Sequence, residues 1–159
     1  MLGQSALAAG VIHHLTMDEC PIQIDVVDPA GFQSVESKNI DLIYENPNEA
    51  GSRIAFHYFQ DPMFNISSFN YITSYVEWLG QEMGCGKERK NTSLQINRNV
   101  SQFGFDTLDQ QGEFLGCYAY VGELENHVIF SILGISKKSQ EEARKNCFLM
   151  LEQVYWKRI

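Results

Sequence analysis

Residues 116–134 read GCYAYVGELENHVIFSILG. Cys117, two tyrosines, Glu123, Glu125 and His127 all fall within this stretch, so it is either a Cys–His reaction centre or a pair of strands. Alternation separates the two. A four-residue turn over Gly122–Glu125 pairs Val121 with Asn126, Tyr120 with His127, Ala119 with Val128 and Cys117 with Phe130. Side chains along a strand point alternately to opposite faces. Leu115, Cys117, Ala119, Val128, Phe130 and Ile132 then share one apolar face. Phe114, Tyr118, Tyr120, His127, Ile129 and Ser131 share the other. An odd loop breaks this division and sets polar His127 among the small apolar residues. A thiol activated by an imidazole needs hydrogen-bond contact, which opposite faces forbid. The stretch is therefore read as a hairpin, with Cys117 in a core and Tyr118, Tyr120 and His127 turned away from it.

The same period of two runs upstream. Ile22, Ile24 and Val26 alternate with polar neighbours until Pro29 and Gly31 stop the strand. Further strands follow over 40–45 and 52–59, separated by Asn46, Pro47, Asn48 and Gly51. The period then lengthens. Phe69, Ile72, Val76, Leu79 and Met83 recur every three or four residues, which predicts a helix over 68–83. Ser67 or Ser68 can cap its start, and Gly84 and Gly86 can end it. Alternation at Leu94 and Ile96 and a strand over 101–108 lead into the hairpin. Beyond it, Ser139 and Glu142 have capping-box spacing. Ala143, Cys147, Met150, Leu151 and Val154 give the second helix its apolar stripe.

The order β-β-β-α-β-β-β-β-α predicts an α+β fold, an antiparallel sheet of about six to seven strands packed with two α-helices. Residues 20–159 read as a single domain and residues 1–19 as an N-terminal appendage.

Twelve Lys and Arg stand against twenty Asp and Glu, a formal charge of −8. Such a surface repels phosphate backbones and anionic headgroups. Nucleic acid and membrane surfaces are poor partners for it, and a basic protein or a cation is a better one. No apolar run approaches the roughly 20 residues that span a bilayer. SALAAG, residues 5–10, looks like the end of a signal peptide but has no basic region before it. A periplasmic or secreted location and a cytoplasmic one both stay open, as does the oligomeric state.

The candidates for chemistry are few. Cys20, Cys85, Cys117 and Cys147 lack C-x-x-C spacing, which argues against a zinc knuckle or a thioredoxin-type pair. Two disulfides, Cys117 with Cys147 and Cys20 with Cys85, fit the count, and so do four core thiols. Asp106, Asp109 and Glu113 sit in one acidic stretch and are the candidate metal ligands, against a reading as solvated turn acids. Adjacent His13 and His14 point apart on any regular element. No phosphate loop, dinucleotide fingerprint, nucleophile elbow or paired-histidine metalloprotease motif occurs, so neither an enzyme nor a cofactor is expected.

Tyr118, Tyr120 and His127 project where no helix is evident to cover them. With Glu123, Glu125 and Trp78 they form the candidate partner-binding set, because aromatic side chains dominate protein contact surfaces. A helix lying over that side is the competing reading.

The element order also resembles the Mog1/PsbP-like fold, which includes DcrB-type domains and the adaptors of type VI secretion effectors. DPAGF at 28–32, GSRIAFHYF at 51–59, the hairpin at 116–134 and SQEEARKNCFLMLEQVY at 139–155 carry the resemblance. It spans residues 20–157 and implies a two-layer or sandwich arrangement and a non-catalytic role. Members bind a small GTPase, a photosystem, or the transmembrane segments of secreted toxins. The resulting expectation is a non-enzymatic protein-binding module. In its finer form this is an immunity or adaptor protein that captures a bacterial toxin or secretion effector by a basic or apolar surface. The alternative is a periplasmic or secreted domain that binds a small ligand or metal cation.

Overall fold

The computed structural model describes residues 10–159. The strands are β1 (Ile12–Thr16), β2 (Ile22–Val27), β3 (Gln33–Val35), β4 (Leu42–Glu45), β5 (Arg53–Gln60), β6 (Lys90–Ile96), β7 (Val100–Leu108), β8 (Phe114–Glu123), β9 (Val128–Ser136) and β10 (Val154–Arg158). Helix α1 (Phe69–Glu82) follows β5, and α2 (Gln140–Leu151) follows β9. Seven strands make one antiparallel sheet in the order β3-β4-β5-β9-β8-β7-β6, and a small sheet runs β10-β2-β1.

The large sheet is buried on both faces. On one, Ala55, Cys117, Ala119, Val121, Ile129 and Leu133 pack with Ile72, Val76 and Leu79 of α1. On the other, Ile54, Phe56, Tyr118, Phe130 and Ile132 pack with Ile22, Ile24 and Val26 of the small sheet and with Ala143, Cys147 and Met150 of α2. This is the α+β architecture expected, with the sheet as its middle layer.

Both helices begin where their caps predict. The Ser68 hydroxyl accepts from the Tyr71 N–H, and the Ser139 hydroxyl from the Glu142 N–H. Only that half of the capping box forms, because the Glu142 carboxylate lies 3.6 Å from Lys145 instead. Phe69, expected in the buried stripe of α1, is 60% exposed in its first turn.

Helix α2 stops at Leu151, and Val154 does not extend its stripe. Val154, Tyr155 and Trp156 are β-branched or aromatic and favour a pleated surface. They form β10, with Trp156 opposite Ile24 of β2. Strands β1 and β3 likewise add to the elements that periodicity predicts. Strand β1 lies within the stretch read as an appendage and pairs with β2 along its length. Of the signal-like segment, residues 5–9 lie outside the described residues.

The hairpin is real, but its register differs by five residues. Val121 lies opposite Ser131 and Cys117 opposite Ile135, rather than Asn126 and Phe130. The loop is odd: Leu124 N–H donates to the Val128 carbonyl across Glu125, Asn126 and His127. Asn126 and His127 both take the left-handed conformation, with φ of 60° and 58°. His127 therefore belongs to the turn, and the objection to placing it on a strand face falls away. The faces regroup, so Cys117 looks toward α1, while Tyr118 and Tyr120 look toward α2.

Helix α2 rests directly on backbone. A Cβ at Gly134 would lie 2.1 Å from the Ala143 carbonyl oxygen, and one at Gly116 would lie 2.4 Å from the Gln140 nitrogen. These two glycines let the helix axis settle on β8 and β9.

The small sheet is tied to the large one through the DPAGF turn. Asp28 Oδ1 accepts from the hydroxyl of fully buried Tyr44 on β4 and lies 2.8 Å from His13 Nε2 on β1. Tyr44→Phe is expected to lower stability by about 2 kcal/mol, because a hydrogen bond to a charged acceptor is lost. Equilibrium urea unfolding measures this, and an unchanged midpoint would show that the link contributes nothing.

Candidate functional site

The structure does not keep the expected partner-binding set together. Tyr118 is covered: its ring lies 6.0 Å from Phe148, and the Arg144 guanidinium lies 5.6 Å from its centroid. Tyr118 donates to Gln102 Oε1 at 2.6 Å. Tyr120 packs between Phe130 and Phe148 and is half-buried. The expectation of an uncovered aromatic sheet face is corrected, because the glycine seat brings α2 down over it. Glu123, Glu125 and His127 stand at the hairpin tip, where His127 lies 3.7 Å from Glu123 and Arg158 bonds Glu125 at 2.6 Å. Trp78 sits apart from all of these, on α1.

Trp78 instead joins another aromatic surface. Tyr71, Tyr75 and Trp78 recur at intervals of four and three residues, so they line one flank of α1 beside its buried stripe. Tyr75 stacks on Trp78 at 6.0 Å, and Phe64 lies 5.6 Å from Tyr71 and 5.8 Å from Tyr75. Phe59 of β5 packs edge-on against both Phe64 and Tyr75. His57 of β5 closes the row, 5.2 Å from Trp78. Met63, Tyr71 and Trp78 remain 77%, 44% and 37% exposed. Asp61, Met63, Phe64, Tyr71, Ser74 and Tyr75 line a shallow hollow of about 350 Å³.

This surface is held rigid from below. The Tyr75 hydroxyl bonds Ser131 Oγ at 2.6 Å, and Ser131 in turn donates to the His57 carbonyl. Burial pushes the Tyr75 phenol well above its ordinary range, so it stays a neutral hydrogen-bonding group. Ser101 on β7 donates to the Ile66 carbonyl and Ser67 to the Asn97 carbonyl, which pins the loop that carries Met63 and Phe64. The rim is acidic. Asp61 Oδ1 accepts from the Met63 N–H, and Asp41 Oδ2 lies 2.9 Å from His57 Nδ1, which has no aligned hydrogen-bond partner. Glu77 pairs with Arg89 at 3.3 Å.

This surface is aromatic at its centre and carries carboxylates at its edge. Apolar contact comes from rigid two-rotor aromatics, and the carboxylates beside them favour a cation at the rim.

The candidate metal ligands are each engaged separately. Asp106 accepts from Asn91 and Gln140, Asp109 accepts from the backbone N–H groups of Gln111 and Glu113, and Glu113 lies 3.2 Å from Lys137. No group of three His, Cys, Asp or Glu side chains placed to hold a metal ion occurs among the described residues.

The cysteines are four buried free thiols. Cys117 and Cys147 lie on opposite faces of the sheet, so the expected contact between them is not made. Cys20 belongs to the core around the small sheet and Cys85 to the core under α1, which separates that pair too.

The aromatic flank was legible in part. The Tyr71–Tyr75–Trp78 spacing is visible in the sequence, but the neighbouring apolar stripe dominates the helix. The contributions of His57, Phe59 and Phe64 come from chain folding alone.

No protein-family model matches the chain, and no curated protein matches its sequence. Solved structures do match its shape. A mutant of the protein Mog1 superposes with a TM-score of 0.56 at 11% identity, over 91% of this chain and 95% of that one. Cyanobacterial PsbP from Synechocystis sp. PCC 6803 superposes at 0.51 with 6% identity, over 94% and 95%. The Ran-binding protein Mog1p of Saccharomyces cerevisiae superposes at 0.51 with 13% identity, over 92% and 95%. With its antiparallel sheet between α1 on one face and the small sheet and α2 on the other, the chain has the Mog1/PsbP-like fold.

Proposed function

We propose that the chain is a non-enzymatic protein-binding module whose contact surface is the Tyr71–Tyr75–Trp78 flank of α1 with Met63 and Phe64. The observation that carries this reading is the continuous, partly exposed aromatic row on a braced helix, with no internal element lying over Met63 or Tyr71 among the described residues. A Ran-binding protein shares the fold, which supports protein recognition on this scaffold, although a fold does not fix its partner.

The partner is apolar at its centre and basic at its edge. Asp41 and Asp61 border the row, and the chain's charge of −8 steers a basic protein toward it. In its finer form the module is an immunity or adaptor protein that captures a toxin or secretion effector, since an amphipathic or membrane-inserting segment of such a protein has this chemistry.

The test is a paired capture from an extract of the native host. Wild-type protein retains a specific partner, and the double variant Tyr71→Ala with Trp78→Ala loses it. Retention by both sinks the assignment of this surface. A partner that is neither toxin nor effector sinks only the finer reading.

A further inference from the structure

The turn after α1 brings two thiols into contact. Met83 caps the helix, Gly84 turns the chain at φ 86°, and Cys85 N–H returns to the Gly80 carbonyl at 2.9 Å. Cys85 then bridges to Asp109, which fixes its backbone beside the β7–β8 end of the sheet. Cys117, central in β8, faces the same core. The two Sγ atoms lie 3.6 Å apart across 32 residues of chain.

We propose that Cys85 and Cys117 are an oxidation site that closes to a disulfide, tying the C-terminal end of α1 to β8. A disulfide needs its sulfurs at about 2.05 Å, so side-chain rotation must bring them closer by roughly 1.5 Å.

The roles divide. Cys85 keeps 6% exposure and Cys117 none, so an oxidant reaches Cys85 first. The Cys117 S–H placed against the Cys85 sulfur, with help from the Arg53 charge, favours the Cys85 thiolate, while the same contact and then burial hold Cys117 protonated. With a peroxide as oxidant, the Cys85 thiolate attacks one peroxide oxygen. The O–O bond breaks, a sulfenic acid forms, and water leaves after protonation. The Cys117 sulfur then attacks the Cys85 sulfur. The S–S bond forms, the S–O bond breaks, and the Cys117 proton departs with hydroxide as a second water. Two thiols lose two electrons in all, and one peroxide gains them.

Cys20 is the internal control. It has the same 6% exposure but sits in the other core, with no thiol within hydrogen-bond reach among the described residues. Cys147 is fully buried on α2, and burial pushes its thiol up. Closure does not depend on what the aromatic surface binds.

The experiment treats the folded full chain with hydrogen peroxide, alkylates it in denaturant and maps it by mass spectrometry. The expected result is a loss of about 2 Da before alkylation and two fewer alkyl groups after it, both reversed by dithiothreitol. A single linked peptide pair should contain Cys85 and Cys117, with no link at Cys20 or Cys147. The cross-linked protein should melt higher by roughly 5 °C or more, because a long loop of the unfolded chain is closed. Cys85→Ala or Cys117→Ala should abolish the mass loss, and Cys20→Ala should not. Should a core variant fail to fold, the wild-type peptide map still decides. A link through Cys20 or Cys147, or oxygen addition with no link at all, overturns the proposal.

Discussion

Gly134→Ala is expected to lower stability by about 3 kcal/mol or more. The added methyl carbon would lie 2.1 Å from the Ala143 carbonyl oxygen and 2.8 Å from the Cys147 nitrogen. Both are backbone atoms, so no side-chain rotation relieves the clash. The helix must lift from β9, which loosens the packing of Ala143, Cys147 and Met150 and uncovers Tyr118. Urea unfolding followed by far-ultraviolet dichroism measures the loss. Gly112→Ala serves as the control, because Gly112 has φ 79° but nothing within 4 Å of an added Cβ. It should cost about 1 kcal/mol from backbone strain alone. Equal effects at the two positions would contradict direct seating of α2 on the sheet.

Trp78→Ala is expected to weaken partner binding by about tenfold or more, as truncation at the centre of an aromatic contact does. Tyr71→Ala should act in the same direction. Tyr71 is 44% and Trp78 37% exposed, so truncation should also cost about 1 kcal/mol of stability at Tyr71 and about 2 kcal/mol at Trp78, which packs on His57 and Tyr75, and binding is read on variants shown to be folded. Tyr75 needs a gentler probe, because its hydroxyl bonds Ser131 in the core. Tyr75→Phe keeps the ring. Tyr155→Ala is the matched negative control, since Tyr155 is 57% exposed on β10, away from this row. Titration calorimetry with the captured partner reads all four variants. Loss of binding in Tyr155→Ala alone would move the contact surface to the small sheet.

The elements with strong periodicity were legible in the sequence. Caps at Ser67 or Ser68 and at Ser139 placed both helix starts, and sequence pattern placed β2, β4, β5, β6, β7, β8 and β9. What failed were features set by pairing rather than by pattern. Strands β1 and β3 are short and borrow their conformation from β2 and β4. The hairpin register turned on a left-handed turn at Asn126 and His127, two residues that the alternation argument assigned to pairing positions. The covering of Tyr118 was written in Gly116 and Gly134, because glycine inside a strand marks a close backbone approach. The aromatic site needed the fold, since His57 and Phe64 meet Trp78 and Tyr75 only across elements.

The most direct measurement is site-specific photo-crosslinking in native host extract, with a benzophenone side chain in place of Tyr71 or, as the control, of Tyr155. A partner seated on the α1 flank predicts one discrete covalent adduct from position 71 that excess unlabelled protein removes, and none from position 155. No adduct from position 71, or the same adduct from both positions, would contradict that seating.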